Sequence, residues 1–491
     1  MRSHSRAVGT DLLLAGAVLL TRLPFLGPGA GNDNDGWFLV NAARELAATG
    51  RYTTSRFPGY PVQEWLAAWV ARAGGGPERM NLLSAVAAAG AAFAFARLLR
   101  RLGARDVVLT ALAFVCVPAA YVASVSAMDY LFALAFVLAA CHARVAGRPA
   151  LAGAWLALAI GTRMTSVVLL PALLLLPPPD DAHDSRASRL GLAALACVFG
   201  SACYLPAFAR YGWSFLRFVD PLRTGSTPLD FVTGVVHLDR LRLPPALIAG
   251  QATALLWGVP GTLALAAAFG AAFLRRGRPA PRAYEHMVPR VTLATGLAVS
   301  LELLVFLRLP LDEGYLLPAV PFTLLLAAGL APRAWFRAAC AGALVSAFVL
   351  GVDVVPPKKG IAPGVRSALA ITVARGAYAV VLDPLRGPLL QDHDKRVRAA
   401  AVVSRAIAAR PSLPPHALVF AGLLCAELTA RLPQDRTHPW YTDYLLEPEL
   451  HAALARNTPV YLLPGVRERV RHVAGYDPIA AGARPLFPGE E

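Results

Sequence analysis

A succession of long apolar runs constrains this chain more than any other feature of its sequence. Of its 491 residues, 56% are hydrophobic and 16% are charged, and the mean hydropathy is +0.51. One soluble core cannot bury that much apolar surface, whereas about 20 apolar residues let a helix cross a bilayer. The sequence predicts a polytopic α-helical membrane protein with about eleven spans. They lie near residues 11–27, 80–98, 107–122, 127–143, 150–162, 164–178, 189–209, 245–274, 290–307, 315–331 and 335–353.

Arginines in the short connections predict how these helices are oriented. Cytoplasmic loops are enriched in Arg and Lys, so the net charge of +16 indicates orientation in a membrane and not nucleic-acid binding. The N-terminus is then inside, and the long loops 28–79 and 210–244 are outside. The basic N-terminus and Leu12–Leu26 resemble a signal peptide, but no small-residue cleavage site follows, so we interpret this segment as a retained span. The assignment rests on Arg97, Arg100, Arg101, Arg105, Arg144, Arg148, Arg275, Arg276, Arg278, Arg282, Arg290, Arg333 and Arg337.

The composition changes at Val355 and indicates a second domain. Short runs of strand type alternate there with helical segments, a pattern that favours a small α/β domain. We therefore divide the chain into a transmembrane domain, 1–354, and an α/β domain, 355–491, which an odd number of spans places outside. The strand-like runs are Ala379–Leu382, Ala417–Phe420 and Pro459–Leu463, and the helical ones are Arg396–Ala409 and Glu449–Arg456.

Carboxylates follow the first apolar run directly, in Asn32–Trp37 (NDNDGW). Charges are costly near hydrocarbon and are retained there mainly where they have a function. Further along the same loop lies Arg56–Pro61 (RFPGYP), which adds a cation and an aromatic side chain. The pattern predicts a lipid-linked active site at a membrane face. The alternative is a solvated loop after a helix.

The first loop resembles that of the GT-C-fold glycosyltransferases that use lipid-linked donors, the group of the protein O-mannosyltransferases and bacterial aminoarabinose transferases. The letters DGWFLVNAARELAATG reproduce the family's spacing from Asp to Ala-Arg-Glu, and RFPGYP stands where the family has a Pro-rich turn. The resemblance covers roughly residues 8–350 and implies that Asp35 is the catalytic base, with Asp33 as the second candidate. Gly36 stands where many relatives have Glu.

Two further segments are similar to those of the family. Leu311–Pro318 (LDEGYLLP) is similar to the family's R-Y-L-L-P segment, with Gly314 in place of the usual Arg, and Gly161–Ser166 resembles a polar turn before an apolar helix. Together with the first loop and the turn that ends at Asp129, the sequence offers four candidate substrate-binding residues. These are Tyr60, Asp129, Glu313 and Tyr315.

Sugar transfer from a polyprenyl phosphate needs a base at the acceptor, cations at the departing phosphate and an apolar groove for the lipid. Arg163, Arg56 or an Arg of the loop 210–244 could hold the phosphate. A snorkelling side chain is the alternative for Arg163. Asp129, at the start of a predicted helix, is read first as a helix cap.

The sequence predicts no cofactor but leaves a divalent metal open. Asp312 and Glu313 are candidates for an acceptor or a metal, with a solvated turn as the alternative. Gln391–Asp394 and Thr437–Trp440 match no standard metal site. Of the six cysteines, only Cys425 lies outside the apolar runs, so neither a disulfide framework nor a CxxC site is indicated.

The leading interpretation is a glycosyltransferase of a bacterial inner membrane, part of the cell-envelope machinery. It would transfer a sugar on the outer face from a polyprenyl-phosphate donor to a glycan, lipid or protein acceptor. A transporter or lipid flippase is the main alternative, although the sequence has no internal repeat of the kind that many transporters have. A scaffold that presents the C-terminal domain is the third, and would leave the acidic pair without a role.

Overall fold

The computed structural model describes residues 2–489, apart from residues 33, 179–184, 217–244, 276–288, 309–311, 356–368, 374–377, 415, 433–439, 443–446 and 474. Several predictions lie outside the described residues. These are Asp33 as the second candidate base, the phosphate-binding arginines of loop 217–244, the loop arginines at 276–282, and Thr437–Pro439.

Helices form the first two thirds of the chain. They are α1 (Arg2–Arg22), α2 (Asn34–Thr49), α3 (Pro61–Arg72), α4 (Pro77–Arg101), α5 (Val107–Cys116), α6 (Pro118–Ser124), α7 (Tyr130–Val145) and α8 (Pro149–Thr162). They continue with α9 (Leu170–Leu175), α10 (Arg186–Ala202), α11 (Leu205–Tyr211), α12 (Pro245–Gly250), α13 (Leu256–Leu274), α14 (Pro289–Arg308), α15 (Ala319–Leu330) and α16 (Arg333–Ser346). Each predicted span overlaps at least one of these helices, which confirms the polytopic helical architecture.

The described helices differ in whether they are long enough to cross a bilayer. By length and composition, five apolar helices are long enough, or six if α5 and α6 form one span bent by 72°. Pro118 follows the break between α5 and α6, since proline cannot continue the hydrogen-bond ladder of the preceding helix. Helices α7, α8 and α15 are shorter apolar helices of 10–17 residues. The number of eleven crossings therefore stays a prediction.

Side-chain size and polarity fit a bilayer around the helical part. Helix α4 buries a row of alanines, among them Ala85, Ala88 and Ala92, and such small side chains let neighbouring helices approach closely in a membrane. Helix α1 leaves Leu13 77% exposed and Leu20 65% exposed. Outward-facing leucines on a long apolar helix suit contact with lipid tails, because the tails are as apolar as leucine side chains.

Arginines of the predicted cytoplasmic loops form ion pairs at one end of the helical part. Arg100 contacts the buried carboxylate of Asp11 at 2.9 Å. Before α5, Asp106 pairs with Arg333 at 3.0 Å and with Arg337 at 2.7 Å. The hydrogen bonds from Arg333, and then those from Arg337, lower the pKa of Asp106 to about 2.

This shift predicts a pH dependence of stability. A carboxyl group with a lowered pKa in the folded state stabilises the fold above its unfolded pKa, and loses this contribution as the pH falls through its folded pKa. The melting temperature of Asp106→Asn in detergent should therefore lie below that of the wild type above about pH 4 and converge on it towards about pH 2. A gap that stays constant over this range would show that the charge of Asp106 contributes nothing.

The C-terminal part contains two sheets and the remaining helices. Strands β1 (Gly351–Val355), β2 (Leu369–Val373) and β3 (Tyr378–Asp383) form an antiparallel sheet in the order β1-β3-β2. Strands β4 (Leu418–Phe420), β5 (Trp440–Thr442), β6 (Val460–Leu462) and β7 (Arg484–Pro485) form a parallel sheet in the order β5-β4-β6-β7. The helices are α17 (Pro388–Ala409), α18 (Cys425–Arg431), α19 (Glu447–Ala455) and α20 (Val466–Val473).

The predicted strands and helices of this part are confirmed. β3, β4 and β6 coincide with the three strand-like runs, and α17 and α19 contain or overlap the two predicted helices. A separate apolar core lies around the parallel sheet, with Val403, Phe420 and Leu462 fully or almost fully buried. The boundary at 355 remains a proposal, because β1 begins at Gly351 and runs across it.

The C-terminal part packs on the same side of the helices as the loop 28–79. Arg396 of α17 donates to the carbonyl oxygens of Val125 at 3.0 Å and of Phe25 at 2.8 Å. Asn32 donates to the carboxylate of Asp392 at 2.8 Å. The first loop and the C-terminal part therefore face the same compartment, which agrees with the sequence-based topology in placing both on one side.

The topology makes a direct prediction. A reporter that is active only outside the cytoplasm should be active when it is fused after Pro356, since short-loop arginines place the opposite end of the helices inside. Parallel fusions with a reporter that is active only in the cytoplasm provide the control. Activity of the cytoplasmic reporter at this junction would contradict both the number of spans and the outer position of the C-terminal part.

Candidate active site

A buried glutamate organises the loop that carries Arg56. Glu64 lies in the first turn of α3 and is fully buried. Its carboxylate accepts hydrogen bonds from the Tyr52 hydroxyl, from the Ser55 amide at 2.6 Å and from the Ser55 hydroxyl at 2.7 Å. Burial raises the pKa of Glu64, and the hydrogen bonds from Tyr52 and Ser55 oppose that shift. These bonds tie the residues just before Arg56 to α3, and the sequence patterns did not reveal them.

Arg56 joins two carboxylates that are far apart in the sequence. One nitrogen of its guanidinium lies 2.6 Å from an oxygen of Asp35, and the other contacts an oxygen of Asp129. The guanidinium also lies over the ring of Tyr60, 4.2 Å from its centre, in cation–π geometry. The structure thus brings the predicted base, a predicted phosphate ligand and two predicted substrate residues into one cluster.

Arg163 approaches the same carboxylate from the break between α8 and the next helical turn. Its backbone is extended there, and its guanidinium lies 2.6 Å from the second oxygen of Asp129. The rings of Tyr130 and Tyr315 lie 4.4 Å and 4.9 Å from the guanidinium carbon. Arg163 is only 6% exposed, so the snorkelling alternative is wrong and this cation points into the protein.

Asp129 is the centre of the cluster and not a helix cap. It stands at the N-cap position of α7, but its side chain accepts no capping hydrogen bond from that helix. Each of its two oxygens contacts a different arginine, and the residue is 0% exposed. The cap interpretation is therefore wrong, because two guanidiniums offer a buried carboxylate stronger partners than backbone amides do. We call Asp35, Arg56, Asp129 and Arg163 the ion-pair cluster.

The turn at Asp312 adjoins this cluster through Tyr130. The Tyr130 hydroxyl donates to one oxygen of Asp312 at 2.7 Å, and the Gly314 amide donates to the other at 2.7 Å. Asp312 thus holds Tyr130, whose ring lies against Arg163 of the ion-pair cluster. The solvated-turn alternative is therefore wrong for Asp312. Glu313 lines two cavities beside the turn, and Tyr315 lies against Arg163.

Two glycines that depart from the family's pattern have steric reasons. A Cβ at Gly36 would lie 2.5 Å from the carbonyl oxygen of Ala30, so the larger residue of many relatives does not fit here. A Cβ at Gly314 would lie 2.6 Å from the ring of Tyr130. The space that an arginine side chain would need at position 314 is thus occupied by the ring of Tyr130, which lies against Arg163.

Glu302 is a further acidic residue near this site that the sequence patterns did not single out. This residue lies in the apolar helix α14, is 2% exposed and is within electrostatic range of Arg163. An acidic side chain inside a membrane-spanning run is itself a signal of function, and that signal was available in the sequence. Glu302 adds a further carboxylate to the surroundings of Arg163.

The described residues support neither the predicted lipid groove nor a metal site. An apolar cavity between the helices has a volume of about 10 Å³, too small for a polyprenyl chain, and no residue of the ion-pair cluster lines it. The groove therefore stays a prediction. Within the described residues, no group of three or more His, Cys, Asp or Glu side chains could hold a metal ion.

Of the comparisons with known proteins, the one with solved structures identifies a fold. No protein-family model matches the chain, and no curated protein matches its sequence. Two solved structures of ArnT from Cupriavidus metallidurans are similar to it, each with a TM-score of 0.53 and 16% sequence identity. The structure bound to undecaprenyl phosphate matches over 97% of this chain and 90% of ArnT, and the apo structure over 95% and 91%. The chain therefore has the GT-C fold of ArnT, the fold class that its first-loop motif predicts.

Proposed function

We propose that this protein is a membrane glycosyltransferase that moves a sugar from a polyprenyl-phosphate donor to an acceptor on the outer face of a bacterial inner membrane. The observation that carries the proposal is the ion-pair cluster. In this cluster the partly exposed carboxylate of Asp35 pairs with Arg56, and Asp129 links Arg56 to a second guanidinium, that of Arg163, at the side of the helices that the topology assigns to the outside. A solvated loop would not bury Asp129 and Arg163 between helices.

The two arginines fit the departing phosphate. Guanidiniums bind phosphate oxygens through charge-assisted hydrogen bonds, which are stronger than neutral ones. Asp129 holds both groups from one side, so they are oriented before the donor arrives and need no reorganisation as charge develops on the phosphate. The two tyrosine rings at Arg163 limit its motion further.

Asp35 fits the role of general base. Its side chain is 28% exposed, whereas that of Asp129 is 0% exposed, so Asp35 is the carboxylate of the cluster that an acceptor can reach. In the transfer, Asp35 takes the proton of the acceptor hydroxyl or amine, the acceptor atom bonds to the anomeric carbon, and the bond from that carbon to the phosphate oxygen breaks. The bonding electrons leave with the phosphate, whose charge the arginines stabilise.

Donor binding and base release are coupled in this arrangement. Asp35 now pairs with Arg56, and a carboxylate held by a cation is a weaker base. A donor phosphate on Arg56 competes with Asp35 for the same guanidinium, and Asp35 is the more exposed of the two carboxylates. The base is thereby freed only when the donor is in place.

The structural neighbours support the class of donor. ArnT, whose fold this chain shares, has been crystallised with undecaprenyl phosphate. A soluble nucleotide sugar is the other class of donor, and proteins that use it often cradle its diphosphate with a Gly-rich loop or a helix N-terminus. The sequence has no such Gly-rich motif, which favours the lipid donor.

The donor class can be tested with purified protein in lipid nanodiscs. Transfer should occur from radiolabelled undecaprenyl-phosphate sugars and not from the corresponding nucleotide sugars, with Asp35→Asn protein as the matched blank. A panel of hexose and pentose donors covers the unknown sugar. Equal or faster transfer from a nucleotide sugar would overturn the proposal.

A further inference from the structure

Two adjoining cavities open between the helical part and the C-terminal part. Their volumes are 230 Å³ and 280 Å³, and both are lined by Asn32, Ala119, Val122, Glu313 and Asp392. They share these lining residues, and we call the two together the interdomain cleft. Its size is in the range of small-molecule sites, about 300–1,000 Å³.

The interdomain cleft reaches the candidate active site through one side chain. Tyr130 lines the cleft, donates its hydroxyl to Asp312 at 2.7 Å and lies with its ring against Arg163. The cleft therefore ends at the ring that separates it from the ion-pair cluster. A molecule bound in the cleft would lie next to the centre where the proposed transfer takes place, on the side of Asp312 and not of the arginines.

The lining of the interdomain cleft differs in charge from the ion-pair cluster. Asp312, Glu313 and Asp392 contribute carboxyl groups, and that of Asp392 pairs with Arg396 at 3.0 Å. Asn32 and Gln391 contribute amides, and Lys395 contributes an ammonium group. Carboxylates accept hydrogen bonds from hydroxyls, and amides both accept and donate them. Asp312 and Glu313 outnumber Lys395, and this excess of negative charge opposes the entry of a phosphate, since like charges brought together cost several kcal/mol.

We propose that the interdomain cleft binds the acceptor, and that the acceptor is a saccharide without phosphate groups. This inference rests on the proposed function. The charges on the two sides of Tyr130 then determine which substrate binds on each side. The guanidiniums attract the anionic donor head group, and the carboxyl and amide groups of the cleft bind a hydroxyl-rich acceptor and repel a phosphorylated one.

The acceptor can be identified in cells. Mass spectrometry of envelope glycans and lipids from a strain that lacks the protein should show one sugar missing from a phosphate-free saccharide residue, together with accumulated lipid-linked sugar. Loss of the sugar from a phosphorylated lipid head group or from a protein would overturn the acceptor inference and leave the proposed transferase intact. No missing sugar and no accumulated donor would overturn both.

A cleft variant then tests the location. Gln391→Arg places a bulky cation in the interdomain cleft, at a residue without a hydrogen bond to the ion-pair cluster. With the glycan purified from the deletion strain as acceptor, its KM should rise about 10-fold or more, while the KM for the lipid donor is unchanged. Glu45→Gln, an exposed change on α2, is the control and should alter neither. A rise in the donor KM alone, or no change in either KM, would overturn the assignment of the cleft to the acceptor.

Discussion

Asp35→Asn is expected to slow sugar transfer by about 10²–10⁴-fold, the usual contribution of a general base. Asparagine keeps the size of the side chain and a hydrogen-bonding oxygen, but it cannot accept the proton of the acceptor. The variant should fold, because Asp35 is partly exposed and lies in the first turn of α2. Single-turnover transfer in nanodiscs, with a donor panel in excess, measures the effect.

Two carboxylates of the same region serve as controls. Asp33→Asn should cost much less than Asp35→Asn, and Glu45→Gln, on the exposed face of α2, should cost nothing measurable. If Asp33→Asn abolishes transfer while Asp35→Asn retains it, the base has been assigned to the wrong residue but the class of enzyme survives. If both variants are active, the acidic pair is a solvated loop and the transferase proposal loses its main support.

Asp129→Asn is expected to have the second large effect, on both stability and rate. Removing one member of a buried ion pair costs about 3–5 kcal/mol, because the remaining charge loses its partner; here Arg163 loses its ion pair with Asp129, and Arg56 keeps only the one with Asp35. The rate should fall by about 10²–10³-fold, since the arginines are no longer oriented towards the phosphate. Thermal unfolding and kcat with the lipid donor give the two readouts.

The chain offers a matched control for this variant. Asp106 also contacts two arginines, Arg333 and Arg337, but at the opposite end of the helical part. Asp106→Asn should lower the melting temperature less and leave kcat unchanged. An Asp129→Asn protein with wild-type kcat would show that the orientation of Arg56 and Arg163 has no part in the reaction.

Sequence patterns predicted the elements of the fold better than their arrangement. Apolar runs identify the helices because a lipid environment demands a continuous stretch of apolar side chains, and α1, α4 and α14 follow this rule closely. Runs such as those of α7 and α15 are too short to settle by length whether they cross the bilayer. Hydropathy therefore predicted helices correctly without fixing the number of crossings.

The candidate site was predicted residue by residue but not as a cluster. Arg56 and Asp129 are 73 residues apart in the sequence, and Asp129 and Arg163 are 34 apart, so no helical or strand period relates them. Local sequence favours a cap at Asp129, whereas its partners come from other segments. Glu64 gives no signal of burial in the sequence, because an acidic residue in the first turn of a helix is the usual complement of the helix dipole.

Gly36 and Gly314 show a second limit of the sequence. Each departs from the family's pattern, and from the letters alone each is a lost functional side chain. In the structure, the space of each missing side chain is occupied, at Gly36 by the Ala30 carbonyl and at Gly314 by the Tyr130 ring. The departure at Gly314 reflects a contact between distant segments, which a single sequence does not reveal.

A cryo-electron microscopy structure of the protein in nanodiscs with undecaprenyl phosphate would test most directly whether Arg56 and Arg163 hold the lipid phosphate beside Asp35. We expect phosphate density within hydrogen-bond distance of both guanidiniums, with Asp129 still between them and the Asp35 carboxylate separated from Arg56. A phosphate bound elsewhere, with the Asp35–Arg56 pair unchanged at its present 2.6 Å, would contradict it.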